Sequence, residues 1–387
     1  MRKNIVRFFF VFLIAFGTMR VSAFDVSGTA PRFIPANPAV PPEAVIELNR
    51  EINSAFTDAL RDINDQVGGI DSKPEKFIRA WGDASVISSH AATQRTFTDF
   101  RLFNVTLGGM IGLVLPASPF EMADYLENIT DRLNEEQDLR LGINPQVINL
   151  QVGLNLGFLV PNLSAAVRFG YMDINNFLVE GFSFNSLTLG LLVNYQLLPA
   201  VNLVPRELVL WRGISLGTGL IYQRTNIDFG MGLGEISQPI NNIGTVNTPA
   251  GNMNIGQASI VLDPTLNLGL RVNTVTIPIE AHTSVRLLRF LNFAFGLGFD
   301  LGFGSSVLKL GMRSDIDVRG LNENVVRQSD EGSLTVSGGG KMSPTVFNFK
   351  LMSGMGFTLG PVIIDFPIAF YPINQGFQAG FTVGVSF

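Results

Sequence analysis

The last residues of the chain alternate between apolar and polar or small side chains. From Phe377 to Phe387 every odd position is apolar, and every even position is Gln, Gly, Thr or Ser. Because neighbouring side chains of a β-strand point to opposite faces, this stretch predicts a strand with one apolar and one polar face. A strand of this kind that ends on an aromatic residue is well placed in a closed barrel with lipid outside.

The same alternation recurs from position 101 to the end of the chain. Two-residue turns are predicted at Asn273-Thr274, Leu288-Arg289, Gly304-Ser305 and Gly360-Pro361. The pattern predicts an all-β membrane protein, a single transmembrane antiparallel β-barrel of 12 to 14 strands, because two further strands could lie in 230–258 or 319–345. The twelve predicted strands are 103–115, 148–160, 163–171, 187–197, 214–222, 260–272, 275–287, 291–303, 308–318, 347–359, 362–370 and 375–387.

Two other folds fit the pattern less well. The stretch Leu141 to Val167 has no charged residue, but its Asn, Gln and Gly residues fall on alternate positions, and a membrane helix would expose them to lipid all round. A soluble β-sandwich would carry charges along the outer face of each strand. The first, second and fourth predicted strands carry none.

Ionisable residues within the predicted strands share the parity of the polar face. A lipid-facing Arg or Lys at mid-depth costs roughly 2 to 4 kcal/mol, so we expect these residues to face the lumen. We name this predicted set the lumen charge network. Its members are Arg168, Asp263, Arg271, Glu280, His282, Arg286, Asp300, Lys309, Arg313, Asp315, Asp317, Lys350 and Asp365.

Three prolines lie inside alternating runs. Pro264, Pro278 and Pro367 each remove one donor from the strand ladder, so each is a candidate for a strand kink. In lipid, the freed backbone groups must be satisfied by protein or water.

The chain before the barrel has a different character. Residues 1–23 have a basic start, an apolar core and the small residues Val21-Ser22-Ala23, which together predict a secretory signal peptide. Residues 24–100 form an N-terminal segment with a predicted amphipathic helix over 43–67. This segment is interpreted either as a periplasmic appendage or as a plug folded into the barrel.

Composition narrows the function classes. The chain has 387 residues with 46% hydrophobic and 15% charged residues, a net charge of −5 and no Cys. The absence of Cys excludes disulfides and thiolate sites, and an acidic chain is a poor partner for nucleic acid. His90 and His282 lie in no nucleophile motif, and Asp315 with Asp317 lacks further clustered ligands. We expect no enzyme activity, no cofactor and no metal.

A signal peptide, a partly helical segment and a barrel together resemble the FadL-type transporters of hydrophobic compounds. Gly82-Asp83-Ala84 matches a motif of the plug in that family, whereas the Asn-Pro-Ala element that follows there has no counterpart in residues 88–92. The resemblance implies passive transport of apolar molecules such as long-chain fatty acids, a movable plug, and lateral release into the membrane. It also implies Phe77 and Trp81 as ligand-binding residues.

The final strand, residues 375–387, resembles the C-terminal signature of bacterial outer-membrane proteins. That resemblance implies the outer membrane of a bacterium with two membranes, contact with its lipid, and recognition by the barrel assembly machinery. Two other functions remain open from the sequence: a general porin, and a structural or adhesive surface barrel.

Overall fold

The computed structural model describes residues 25–36, 38, 40–68, 74–89, 102–115, 140–175, 181–239, 245–248, 251–254 and 256–387. The predicted signal peptide and His90 lie outside the described residues.

Two helices precede the barrel. Helix α1, Pro42–Gly68, starts with Pro at its first position, where no backbone donor is lost, and ends on a Gly. Helix α2, Pro74–Ile87, is shorter and also starts on Pro. In the described part of the chain, neither helix has the length and hydropathy that crossing a membrane requires.

The remaining elements are strands and one short 3-10 helix, Pro205–Glu207. In chain order the strands are β1 Asp25–Thr29, β2 Arg32–Pro35, β3 Phe103–Val114, β4 Gly142–Asn155, β5 Leu163–Asn175, β6 Phe182–Leu198, β7 Val201–Val204, β8 Val209–Gly232, β9 Ile236–Pro239, β10 Thr245–Thr248, β11 Gly251–Asn254, β12 Gly256–Leu287, β13 Leu291–Leu321, β14 Val326–Asp330, β15 Gly332–Met342, β16 Phe347–Leu359, β17 Val362–Tyr371 and β18 Gly376–Ser386.

Among the described residues, fourteen strands form one antiparallel sheet, and ten of them close into a ring. The ring runs β3-β4-β5-β6-β8-β12-β13-β16-β17-β18 and returns to β3, where Ser386 lies opposite Asn104. The predicted antiparallel β-barrel is thus confirmed, and the sheet has the strand number at the top of the predicted range. The C-terminal strand closes the barrel.

Two of the predicted turns are wrong. Thr274 lies opposite Gly304 in the middle of an uninterrupted pairing of β12 with β13, so neither Asn273-Thr274 nor Gly304-Ser305 is a turn. Each long strand contains two of the predicted strands end to end. The turn at Leu288 and Arg289 exists: both residues have a positive φ (53° and 69°), and the N–H of Phe290 donates to the carbonyl oxygen of Leu287 over 3.2 Å. It lies at the same end of the barrel as the short 360–361 connection, which we call the lower end.

The outward face of the barrel changes from apolar to mostly polar part of the way up. On β13 the outward residues from Leu291 to Phe303 are all apolar, and from Ser305 to Arg319 most are polar or charged. The same change occurs after Tyr171 on β5 and after Tyr222 on β8, and β12 changes at the same level because Val275 lies opposite Tyr222. We call this level the boundary. Tyr side chains are enriched at membrane interfaces, so the boundary is the membrane surface.

Below the boundary, the outward apolar segments have about a dozen residues. At a rise of about 3.3 Å per residue and a barrel tilt, this length matches a hydrocarbon core of about 30 Å. Above the boundary the inward face becomes apolar instead. Phe56 of α1 packs there on Ile316, Leu334 and Val336, and Leu48 and Ile52 of α1 pack with Val318. The upper part of the barrel is therefore a water-exposed sheet folded over a helix.

Candidate functional site

Helix α2 lies inside the barrel and its surroundings are a candidate functional site. Near the boundary, Phe77, Ile78 and Trp81 pack in one apolar cluster with inward residues of five strands, including Met172 and Leu270. On another side of the helix, Ala80, Ala84 and Ile87 pack on Val114, Met352, Ala369 and Tyr371. The helix is thus surrounded by the wall and occupies the lumen at this level.

Glycines of the wall leave the space that the helix fills. A Cβ at Gly142 would lie 2.1 Å from the carbonyl oxygen of Ala80, and a Cβ at Gly112 would lie 2.5 Å from that of Ala84. Real side chains do not approach backbone so closely, so these positions accept only Gly while the helix is in place. Three further inward glycines have similarly close contacts with α2 side chains: Gly302 with Val86, Gly340 with Ile78, and Gly376 with Ile87.

Polar side chains also connect the helix to the wall. The hydroxyls of Ser85 and Thr274 lie 2.8 Å apart, and Gln146 donates a hydrogen bond of 3.2 Å to Ser88. The guanidinium of Arg168 donates to the carbonyl oxygen of Ser89 and, over 3.1 Å, to Gln151. The positive charge of Arg168 therefore lies at the C-terminal end of α2, where the helix dipole is negative and the carbonyl groups have no partner within the helix.

Asp83 connects the helix to the short segment between β15 and β16. Its carboxylate accepts hydrogen bonds from the backbone N–H of Thr345 over 2.6 Å and from the Thr345 hydroxyl over 3.1 Å. Burial raises the pKa of Asp83 above its ordinary value, and the two Thr345 hydrogen bonds offset part of that shift. The Gly-Asp-Ala motif thus lies on α2, with its acid in contact with the wall and its Gly against Ser306.

Phe77 and Trp81, the two predicted ligand-binding residues, lie together. Their rings meet edge to face with centroids 6.1 Å apart, and both are buried in the cluster beneath the upper part of the barrel. The indole N–H of Trp81 is buried and has no hydrogen-bond partner within the described part of the protein. An unpaired buried donor costs about 1 to 3 kcal/mol, so this site would accept a polar atom.

The structure separates the predicted lumen charge network into two sets. The inward set is Arg168, Glu280, His282, Arg286, Asp300, Lys350 and Asp365. The other six residues lie on the outer face above the boundary, which corrects the prediction: Asp263, Arg271, Lys309, Arg313, Asp315 and Asp317. Because β12 and β13 continue without a turn, their parity also continues, and the polar side of their upper halves faces outside water.

Lys350 is the centre of the inward set. Its ammonium nitrogen lies 2.5 Å from Glu280 Oε1 and 2.7 Å from Asp300 Oδ1, with all three side chains buried. The hydroxyl of Tyr371 donates to Asp300 Oδ2 over 3.0 Å. A charge in the barrel interior is tolerated when it is paired and hydrogen-bonded, as here. The network joins the neighbouring strands β12, β13, β16 and β17 along the inner face of the wall.

A second inward group includes a residue outside the predicted strands. Arg212 is buried near the start of β8, close enough to Arg286 and Asp365 to interact electrostatically. Thr345, Tyr371 and the wall glycines were likewise not predicted from the sequence. Arg212 shares the parity of the outward Ile214, and it faces inward because the pairing shifts between Ile214 and Trp211, at Gly213 with its positive φ of 80°, so the alternation gave no signal for it.

The three candidate kink prolines all face inward, and two of them interrupt a ladder. The pairing of β12 with β8 skips from Thr276 to Ile279, across Pro278. The pairing of β17 with β18 skips from Asp365 to Ile368, across Pro367. Pro264 lies instead at the upper end of the β8 ladder, where its carbonyl accepts from Leu233 N–H over 2.8 Å.

A small cavity of about 10 Å³ adjoins Pro278, lined also by Asn194, Glu280 and His282 among others. This volume holds about one water molecule. Both ring nitrogens of His282 are buried without a hydrogen-bond partner among the described residues. The interrupted ladder at Pro278 therefore has a polar pocket behind it, on the lumen side of the wall.

Several solved outer-membrane barrels are similar to this chain. They include the translocator domain of the autotransporter NalP from Neisseria meningitidis (9% identity, 74% of this chain and 89% of that chain, TM-score 0.26). The toluene transporter TbuX from Ralstonia pickettii has 8% identity over 80% of this chain and 99% of that chain, with a TM-score of 0.22. A FadL homologue from Pseudomonas aeruginosa has 8% identity over 81% and 97%, with a TM-score of 0.22.

No curated protein sequence matches this chain. A family model described as Lsa36-like matches residues 40–387, from α1 to the C-terminal strand. The match covers both helices and the whole barrel, and the chain therefore belongs to the Lsa36-like family.

Proposed function

We propose that this protein is a gated passive channel of the outer membrane that carries apolar small molecules. The observation that carries the proposal is helix α2, which closes the lumen through non-covalent contacts alone and presents Phe77 and Trp81 to an apolar cluster below the upper part of the barrel. An apolar ligand that enters from the upper end can replace those contacts. Long-chain fatty acids are one class of such ligands.

The route out of the barrel is proposed to be lateral. Directly below α2, an apolar molecule would meet the buried ions Lys350, Glu280 and Asp300, whose desolvated pairing it would have to break. The interrupted ladder at Pro278 lies opposite Asp300, at the upper edge of that network, and offers an opening in the wall that avoids this cost, whereas the interruption at Pro367 lies opposite Gly354, below Lys350. We propose release at Pro278 into the membrane.

A second candidate is a closed barrel with a structural or surface role. The close fit of five wall glycines to α2 favours it, because a helix that is packed on all sides is costly to move. A general porin is the weakest of the alternatives, since α2 occupies the lumen. For assembly, we propose that β18 is the segment recognised by the barrel assembly machinery.

A reversible lock on α2 tests the proposal. The chain has no native Cys, so the double variant Ser85→Cys, Thr274→Cys introduces one pair at two side chains whose oxygens lie 2.8 Å apart. Oxidation joins α2 to β12, and reduction releases it. The matched control is Thr29→Cys, Ser333→Cys, whose hydroxyls lie 3.1 Å apart between β1 and β15, away from α2.

Uptake of toluene and of oleate into proteoliposomes is then measured with each variant in both redox states. We expect oxidation to abolish uptake by the Ser85→Cys, Thr274→Cys variant and reduction to restore it. Oxidation and reduction should not change uptake by the control variant. Equal uptake by the oxidised and the reduced form of the Ser85→Cys, Thr274→Cys variant would refute a movable plug. If the unmodified protein carries neither compound and conducts no ions, the transport proposal fails and the closed barrel is favoured.

A further inference from the structure

Four basic residues lie on the outer face of the barrel within the first three outward positions above the boundary. Arg224 on β8 is the first outward residue above Tyr222, and Arg271 lies on β12 next to it. Lys309 follows on β13 and Lys341 on β15. All four side chains are exposed. We call them the basic strip.

The pairing register makes the strip continuous. Arg271 lies opposite Asn226, two residues above Arg224, so the two Arg residues are diagonal neighbours. Val307 lies opposite both Arg271 and Lys341, which makes Lys309 a diagonal neighbour of each. Diagonal Cα atoms across an antiparallel pair are about 7 to 8 Å apart. Each gap is therefore wide enough for one phosphate group between two cations.

The strip departs from the charge balance of the chain. The whole chain has a net charge of −5, yet the strip holds four cations around one outward acid, Asp228, which lies opposite Gly269. None of the four has a carboxylate within ion-pair distance among the residues that the structure describes. Like charges in such a row repel one another, so an anionic partner would stabilise this face.

The height of the strip identifies the partner. Below it the outward face is apolar and lies in the hydrocarbon core; the phosphates of lipid headgroups lie a few ångströms above the core edge, which is where the strip begins. The outward acids Asp263, Asp315 and Asp317 lie at least three register steps higher on the same strands. Cations at headgroup height with acids further away are what an anionic membrane surface favours.

We propose that the basic strip binds the phosphate groups of anionic lipid headgroups in the leaflet next to the upper part of the barrel. This role is separate from transport and depends only on the barrel spanning a membrane. A bound lipid row along β8, β12, β13 and β15 would fix the depth and tilt of this side of the barrel.

Spin-labelled lipids in nanodiscs test the inference. The full mature chain is placed in phosphatidylcholine discs, and the relative association of labelled phosphatidylglycerol and labelled phosphatidylcholine is measured. We expect the wild type to prefer phosphatidylglycerol severalfold, with the preference falling as salt rises. The double variant Arg271→Gln, Lys309→Gln should bring the ratio close to one.

The control is Arg313→Gln, Arg319→Gln, which removes the same charge from the same outer face above the strip, where Arg319 is paired with Glu235 and Asp317. We expect it to keep the wild-type preference, and heat-modified gel mobility to show that both variants fold. An equal loss in both double variants, or no preference in the wild type, would overturn the inference. Inorganic phosphate at millimolar concentration should not compete; full competition would mean a soluble-phosphate site and would also overturn it.

Discussion

The carboxylate of Asp83 accepts two hydrogen bonds from one residue of the wall, the backbone N–H and the hydroxyl of Thr345, at 2.6 and 3.1 Å. Asp83 lies on α2, and Thr345 lies between β15 and β16, where the upper part of the barrel meets the membrane-spanning part. This contact therefore ties the helix in the lumen to the level at which the wall changes character. We therefore expect the docking of α2 to depend on pH.

The pH dependence follows from the direction of the shift. Burial raises the pKa of Asp83 above 3.8, so the folded state holds this proton to a higher pH than the unfolded state does. The resulting stability is present below the unfolded pKa and is lost as pH rises through the folded pKa. We expect acidification from neutral pH to stabilise the wild type relative to Asp83→Asn, measured by thermal unfolding in detergent. An identical pH dependence of the two proteins would contradict the assignment.

Removing Lys350 should be severely destabilising. The variant Lys350→Met removes the ammonium that lies between the buried carboxylates of Glu280 and Asp300, and breaking a buried ion pair in this way costs about 3 to 5 kcal/mol. The outward Lys309→Met, on an exposed face, should change the free energy of unfolding by less than about 0.5 kcal/mol. Urea unfolding in lipid vesicles measures both. Adding Glu280→Gln to Lys350→Met should recover part of the loss, because one of the two buried negative charges near the lost ammonium is removed.

A large side chain at Gly142 should expel α2 from its place. Any Cβ there would lie 2.1 Å from the carbonyl oxygen of Ala80, so Gly142→Leu forces the helix or the wall to move. Overpacking of this kind costs about 1 to 3 kcal/mol. In planar bilayers we expect Gly142→Leu to conduct ions where the wild type is closed. The control Gly311→Leu has no atom within 4 Å of the added Cβ and should behave as the wild type; equal conductance of the two variants would show that α2 does not seal the lumen.

The alternation of side chains predicted the ten strands of the ring, with β12 and β13 each divided in two, and assigned the wrong face of their upper halves to the outside. On β12 the apolar side chains occupy even positions up to Val272 and odd positions from Val275. A turn between the two is the simplest explanation of such a change. In the structure the strand continues and its surroundings change instead. Below the boundary the outward face meets lipid and the inward face meets a polar lumen. Above the boundary the outward face meets water and the inward face meets an apolar interior. Alternation shows that two faces differ, but it does not show which face is inside.

Helix α2 was not predicted for a related reason. Helix α1 contacts the upper sheet with one side, so its apolar residues recur every three or four positions and could be recognised. Helix α2 is enclosed by the wall, so Ala80, Ala84, Ser85 and Ser88 are buried on different sides of it. No polar side faces solvent along that stretch, and the periodic signal of an amphipathic helix is lost.

The position of the membrane surface yields the last prediction. Leu297 and Asn267 both point outward on neighbouring strands, but Leu297 lies below the boundary and Asn267 above it. If lipid surrounds only the lower part, Leu297→Arg should lower the free energy of unfolding in vesicles by roughly 2 to 4 kcal/mol, the cost of a cation at mid-depth. Asn267→Arg should change it by less than about 0.5 kcal/mol, since that side chain is in water. Equal costs at the two sites would mean that the bilayer extends past Tyr222, and the assignment of the basic strip to headgroup height would fall with it.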